Sequence, residues 1–255
     1  MNGLNKSSVS RFVIVGATSA IAEHCARLWV KGKSVDLTLV GRDAARTERV
    51  AADLRVRSPQ SEIRAVQAEF LDPVAIQAVV DAIIHQGTVD TVLIAHGSLP
   101  EQSTCQTDLS VSREALDING ISPVLYAEAF AGHMAKEHHG TLALIGSVAG
   151  DRGRKSNYIY GAAKGLIARY AQGLQHRFFG TGVKIVLIKP GPTDTPMTAH
   201  LKDQGAKLAS VEDVARMIVD AIERKKPVAY VPGKWQLIMW VIRHLPAAVF
   251  NRMNI

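Results

Sequence analysis

Short apolar runs alternate along this chain with longer stretches of helical periodicity. The apolar runs are Phe12–Val15, Val35–Val40, Ile63–Val66, Thr91–Ala95, Thr141–Ile145, Val183–Ile188 and Val228–Val231. Between them the pattern predicts helices near 20–31, 43–57, 73–86, 112–137, 158–179 and 210–224. Runs rich in β-branched residues, with no polar alternation, predict strands buried on both faces and so a parallel sheet covered by helices on both sides. Seven of them in this rhythm predict an α/β fold of the doubly wound kind. Right-handed crossovers then gather the C-terminal strand ends along one edge, where ligands bind. Pro59, Pro73, Pro190, Pro192 and Pro196 fall at element edges. No repeat or linker divides the 255 residues, so one domain is expected over 1–233, with 234–255 as its apolar, basic tail.

Composition narrows the class. With 47% hydrophobic and 21% charged residues, the chain is globular rather than disordered. Cys25 and Cys105 match no metal or redox spacing, so reduced thiols, a cytoplasmic setting and no metal site are expected. Cys25 falls in a helical pattern and reads as a small buried hydrophobe. The first residues, MNGLNKSSVSR, are too polar for a secretory leader, and no run reaches bilayer-spanning length. The net charge of +7 is unevenly placed. Beyond Glu223 stand Arg224, Lys225, Lys226, Lys234, Arg243 and Arg252 with no acid, which leaves the rest nearly neutral. A basic excess confined to an apolar tail points to an anionic surface or partner. It carries no recognition motif for nucleic acid, which is excluded as a partner.

The first run enters Gly16-Ala17-Thr18-Ser19-Ala20-Ile21-Ala22 and then a helix. A glycine turn at that place brings backbone N–H groups of Thr18, Ser19, Ala20 and Ile21 toward a pyrophosphate at a helix N-terminus. Read as G-x-x-x-G-x-G, only Gly16 is a glycine; Ala20 and Ala22 stand at the other two positions. The second run ends at Gly41-Arg42-Asp43, where this architecture meets the adenosine ribose. A guanidinium there can pair a 2′-phosphate through two parallel hydrogen bonds, which favours NADP(H) over NAD(H). Asp43 is a helix N-cap candidate that could instead pair with Arg42. Glu69 and Phe70, ending the third run, are placed to flank an adenine. His96, in Ala95-His96-Gly97, is given a packing role and no catalytic one.

Tyr160-Gly-Ala-Ala-Lys164 puts a phenol and an ammonium on one helical face. A nearby cation lowers a phenol pKa from about 10 and lets it exchange protons near neutrality. Ser147, just after the fifth run, can hold a substrate oxygen. Asn119, in Asp117-Ile118-Asn119, is placed to anchor a water beside Lys164. An isolated Y-x-x-x-K is a common pattern of any amphipathic helix; the weight lies in its conjunction with the glycine turn, Ser147 and Pro190-Gly191-Pro192.

That conjunction, in that order, resembles the short-chain dehydrogenase/reductase family over nearly the whole chain. The resemblance implies a Rossmann-type, mainly parallel seven-stranded sheet and a tetrad of Asn119, Ser147, Tyr160 and Lys164. It also implies that Tyr160 and Lys164 contact the cofactor, Lys164 through the nicotinamide ribose. Ala95, Gly97, Pro190 and Gly191 are implied as lining, with Thr193 near the carboxamide. Ala20 and Ala22 depart from the family's glycine turn, and Ala95-His96-Gly97 from its Asn-Ala-Gly.

Asp151-Arg-Gly-Arg-Lys-Ser-Asn-Tyr-Ile-Tyr160-Gly, Met197-Thr-Ala-His-Leu-Lys202 and Trp235–Ile255 resemble the bacterial decaprenylphosphoryl-2-keto-erythro-pentose reductases. This closer resemblance implies reduction of a keto-sugar on a polyprenyl phosphate for cell-envelope polysaccharides, with a partner oxidase supplying the ketone. Arg152, Arg154 and Lys155 could hold the phosphate, or form a solvated loop. His200 and Lys202 could belong to a flap over the substrate. The tail carries Trp235 and Trp240 and suits an interfacial helix at the inner face of a membrane, or the interface of a homo-oligomer. Two other readings stand beside this one: a reductase of a soluble carbonyl compound, and a non-catalytic nucleotide-binding scaffold, which the intact Tyr160 and Lys164 disfavour.

Overall fold

A computed structural model describes residues 9–203 and 205–253. Most of the polar N-terminal stretch read above for export lies outside the described residues. Seven strands form one parallel sheet: β1 (Ser10–Val15), β2 (Val35–Gly41), β3 (Glu62–Gln67), β4 (Thr91–Ile94), β5 (Gly140–Ile145), β6 (Val183–Pro190) and β7 (Val228–Val231). Their order is β3-β2-β1-β4-β5-β6-β7, so the expected doubly wound sheet is what the chain forms. Along β1, Phe12 and Ile14 point into one apolar core, Val13 and Val15 into the other. This is the strand period of two with both faces covered.

The helices are α1 (Ala20–Trp29), α2 (Ala44–Arg57), α3 (Pro73–His85), α4 (Gln102–Thr107), α5 (Leu109–Leu116), α6 (Ser122–Glu137), α7 (Tyr158–Arg177), α8 (Ala199–Asp203), α9 (Val211–Glu223), α10 (Lys234–His244) and α11 (Ala247–Phe250). The first core joins Cys25 and Trp29 of α1, Leu54 of α2, and Val214 and Ile218 of α9 to the sheet. The second joins Ile76 and Val80 of α3, Tyr126 and Phe130 of α6, and Ile167 and Ala171 of α7. Cys25 is fully buried, and burial pushes its thiol up to about 12, so it behaves as an inert hydrophobe.

Two departures from the pattern bear on function. The helix expected over 112–137 is interrupted by a π-helical turn at Asp117–Ile121. Pro123 has no N–H to donate, and the Ser122 N–H reaches back to the Asp117 carbonyl, five residues away, which widens the turn. Asn119 sits in that turn, fully buried. The tail forms α10 and α11, and it is bolted to the domain. The Trp235 indole lies against Gly191. Arg152 donates to the Ile242 and Leu245 carbonyls, at 2.5 and 2.7 Å, and stacks on the Phe250 ring at 3.8 Å.

Candidate active site

Strand order reverses between β1 and β4, and a groove opens there at the C-terminal strand ends, as the topology demands. Its outer section, about 310 Å³, is lined by Gly16, Thr18, Ser19, Ala20 and Ile21, with Arg42, Phe70 and Gly97. Gly16 adopts φ +85°, and a Cβ there would lie 2.5 Å from the His96 backbone nitrogen. Only glycine lets the turn approach β4 so closely. Ser19 caps α1 in extended conformation without a side-chain bond, so the first N–H groups of α1 are open to an acceptor. This cradle fits a dinucleotide. Ala20 faces the groove, whereas the Ala22 methyl is buried in the core beside Cys25, away from it.

Arg42 is exposed at the far end of this section. The Asp43 carboxylate accepts from the Arg46 N–H at 2.9 Å, capping α2, so Asp43 is the N-cap. Arg46, which the sequence reading missed, lines the same end one helical turn beyond Arg42. Its i,i+4 spacing from Arg42 was the available signal. Phe70 is buried and lines the groove. Glu69 does not. Its side chain is exposed and outside the lining, and only its backbone takes part, accepting the Tyr126 hydroxyl at 2.7 Å.

The inner section, about 280 Å³, is lined by Ala95, Gly97, Asn119, Ser147, Tyr160, Lys164, Pro190, Gly191 and Thr193. The two sections share Ser19, Ile21, His96, Gly97, Thr195 and Met197. Lys164 is 3% exposed; its Nζ donates to the Ile145 carbonyl at 3.1 Å and lies 5.7 Å from the centre of the Tyr160 ring. Desolvation lowers its pKa to about 8. Asn119 Oδ1 accepts from the Ser98 N–H at 2.9 Å, and its Nδ2 donates to the Ala115 carbonyl at 2.9 Å. A Cβ on Gly97 would stand 2.8 Å from Asn119 Oδ1 and 3.6 Å from Lys164 Nζ, so glycine keeps the space between them open. Ser147 Oγ accepts from the Ala149 N–H at 3.1 Å, fixing the turn after β5. Thr193 is buried, its hydroxyl bonded to the Gly191 carbonyl at 2.9 Å.

The Tyr160 phenol corrects one expectation. Burial raises its pKa, and the Ser147 hydroxyl and the Arg154 charge offset this only in part. The phenol is therefore kept in its acid form, rather than lowered toward neutrality. His96 is half-buried, with its Nδ1 sealed from water, and desolvation lowers its pKa to about 3, which holds the ring neutral. It bonds Ser122 Oγ at 2.9 Å and packs edge-on to Phe70.

The loop between Ser147 and Tyr160 separates residues that the sequence had grouped. Arg154 lines the inner section with Asn157. Arg152 does not reach it, because α10 and α11 occupy its guanidinium. Lys155 is exposed and His200 half-buried, both outside the lining, while Lys202 pairs with Asp194 at 2.6 Å. Met197 and Leu201 supply the wall that the flap residues were expected to give. Beneath the loop, Asp151 joins Lys189 and accepts from the Tyr230 hydroxyl at 2.7 Å, both carboxylate and ammonium being nearly sealed from water.

Comparison with known proteins agrees with this geometry. The family model described as short chain dehydrogenase matches residues 11–206. An uncharacterized oxidoreductase of Streptomyces coelicolor is 29% identical over 242 residues, covering 94% of each chain. An uncharacterized oxidoreductase of Mycobacterium tuberculosis is 28% identical over 253 residues, covering 98% of this chain and 99% of the relative. Among solved structures, a short-chain dehydrogenase from Sphingobium yanoikuyae in complex with NADPH superposes with TM-score 0.81 at 21% identity, over 97% of each chain. The actinorhodin polyketide ketoreductase with NADPH gives 0.79 at 18%, over 89% of this chain and 97% of the other. The same dinucleotide-type groove, reached independently from the residues and from the match across most of the sequence, leads to one conclusion: the chain belongs to the short-chain dehydrogenase family and is an NAD(P)-dependent oxidoreductase.

Proposed function

We propose that the protein is an NADPH-dependent ketoreductase whose catalytic residues are Ser147, Tyr160 and Lys164, positioned with Asn119. The observation that carries the reading is the convergence of these four side chains on a cavity continuous with the dinucleotide cradle. Gly16 and the start of α1 would hold the pyrophosphate, Arg42 and Arg46 a 2′-phosphate, and Thr193 and Lys164 the nicotinamide end. When bound, the dinucleotide supplies a hydride to a carbonyl carbon. Ser147 donates a hydrogen bond to the carbonyl oxygen and aligns it. Tyr160, kept protonated by burial, gives that oxygen its proton. Lys164, charged below about pH 8, stabilises the phenolate left behind. Asn119 fixes the widened turn from which the proton is replaced.

The substrate we favour is a keto-sugar carried on a polyprenyl phosphate. Three features support it: the 151–161 and 197–202 stretches, the apolar wall of Leu99, Val148, Met197 and Leu201 in the inner section, and the tail. On α10, Leu237, Trp240 and Val241 are 68%, 60% and 45% exposed, beside a tail with no acid. No helix among the described residues is long and apolar enough to cross a membrane. We read this face as lying on an anionic bilayer surface.

The substrate reading is tested by NADPH consumption with a prenyl-phosphate-linked 2-keto-pentose against soluble ketones. Faster turnover of a soluble ketone would replace it with a soluble-substrate reductase. The surface reading is tested by co-sedimentation with anionic vesicles, wild type against Leu237→Glu/Trp240→Glu. Lost sedimentation of the folded variant is expected. Unchanged sedimentation, or a fall from oligomer to monomer in its place, would assign the face to a second subunit.

A further inference from the structure

The first turn of α7 carries Tyr160, yet the residue at its start does not cap it. Asn157 stands at the N-cap without a side-chain bond to the helix, and its Oδ1 is buried with no partner among the described residues. An asparagine there ordinarily accepts an N–H from the first turn. Here that N–H goes elsewhere: Ile159 donates to Gln102 Oε1 at 3.1 Å, across 57 residues of sequence. Gln102 opens α4, is 9% exposed and lies outside the lining of both sections of the groove. α4 is itself pinned, with Cys105 buried and its carbonyl accepting the Ser112 hydroxyl at 2.6 Å. On the same stretch, Ser98 holds Asn119 twice, its N–H donating to Oδ1 at 2.9 Å and its Oγ accepting from Nδ2 at 3.3 Å. One short segment after β4 therefore fixes Asn119 at one end and the helix of Tyr160 at the other.

The fold alone does not call for this bond. Gln102 Nε2 is left buried without a partner among the described residues, which is destabilising, and Asn157 is in place to cap the turn locally. A cap from a separate element adds direction. An N-cap side chain moves with its own helix, whereas an acceptor anchored on α4 defines where the turn lies in the domain. Ile159 immediately precedes Tyr160, so the bond sets the turn that presents the phenol. Proton transfer needs the donor within hydrogen-bond reach of the substrate oxygen, and a misplacement of about 1 Å can cost about a hundredfold in rate. We propose that Gln102 is a positioning residue for the reaction, capping the catalytic helix from another element and thereby holding Tyr160 in register with Ser147. The proposal rests on the reading of Tyr160 as the proton donor.

The test has two arms. In the first, hydrogen exchange of the wild-type protein is followed by NMR. The Ile159 amide should be protected like the bonded amides of the helix interior; exchange at the rate of an open first-turn amide would overturn the cap. In the second, NADPH oxidation is measured with the prenyl-phosphate-linked 2-keto-pentose or, where it turns over faster, a soluble ketone. Gln102→Met keeps the side-chain length and removes the acceptor, and Gln102→Glu restores one. Gln102→Met should lower kcat at least about tenfold, with KM, NADPH affinity and melting temperature near wild type because Asn157 can take over the cap. Gln102→Glu should recover most of that loss. Gln106→Leu, on the exposed side of α4, should lose nothing. A Gln102→Met protein that turns over at the wild-type rate per folded molecule, whatever its stability, would make the contact structural only and overturn the proposal. So would a Gln102→Glu protein no faster than Gln102→Met. The exchange arm needs no turnover, so it separates from the reductase reading, which fails on its own if no ketone oxidises NADPH.

Discussion

At the nucleotide end of the groove, Arg42 and Arg46 stand in water on the rim; at the catalytic end, Lys164 is 3% and Lys189 6% exposed, and Arg154 is half withdrawn. The same type of charge therefore does different things at the two ends. Rim arginines are screened by water, so on the proposed reading each would add a modest preference for a ligand phosphate at little cost to the fold. Buried cations are expensive unless matched. Lys189 has Asp151, and Lys164 has the Ile145 carbonyl and the Tyr160 ring. Selectivity is adjustable at one end, and chemistry is fixed at the other.

Substitutions should reproduce that contrast. Lys164→Met should lower kcat by about 10³, within the span of general acid–base contributions, with stability little changed or improved because a desolvated charge is removed; stopped-flow NADPH oxidation and thermal melts would show both. Lys189→Met leaves the Asp151 carboxylate buried without its cation and should cost about 3–5 kcal/mol of unfolding free energy, read by urea denaturation. A loss under about 1 kcal/mol would mean that the pair is far better hydrated than its burial implies. The pH profile should be one-sided. Lys164 is charged below its lowered pKa of about 8 and Tyr160 is held in its acid form, so kcat/KM for reduction should be flat from pH 6 to 7.5 and fall above about 8. A rate rising from pH 7 to 9 would contradict this assignment of protonation states. The smallest effects belong to the rim: Arg42→Ala and Arg46→Ala should each reduce the preference for NADPH over NADH by about tenfold, about 1.4 kcal/mol, in a fluorescence titration at low salt. If neither does, the rim arginines are solvated bystanders.

What the sequence disclosed follows the range over which its signals act. The strands were legible because most of the β-branched runs lie on central parallel strands with both faces covered, where pattern and packing coincide, and the two edge strands, β3 and β7, keep the same apolar run although only partly buried. That Ser147, Tyr160 and Lys164 would line one cavity was legible because Ser147 follows a strand end and the other two stand one helical repeat apart. The break in the helix at Asn119 was not, although Pro123 marks it, since the pattern stays helical on both sides. Nor could the pattern distinguish Arg152 from Arg154. The difference depends on where α10 ends in space, through carbonyls ninety or more residues away in sequence. Trp235 resting on Gly191 is likewise tertiary, and it changes the tail from a loose appendage into part of the wall behind the active-site edge. The phenol's raised pKa required the cavity itself, because desolvation outweighs the Ser147 hydroxyl and the Arg154 charge that face it, neither of which the spacing of Tyr160 and Lys164 suggested.

The most direct measurement is ketone-dependent NADPH oxidation by wild type and Tyr160→Phe, with NADPH affinity determined in parallel. The account predicts unchanged NADPH binding and a loss of turnover of about 10³ or more, since the ring stays and only the proton donor is removed. A variant that binds NADPH and still reduces the ketone at the wild-type rate would contradict Tyr160 as the acid and, with it, the assignment of the catalytic end.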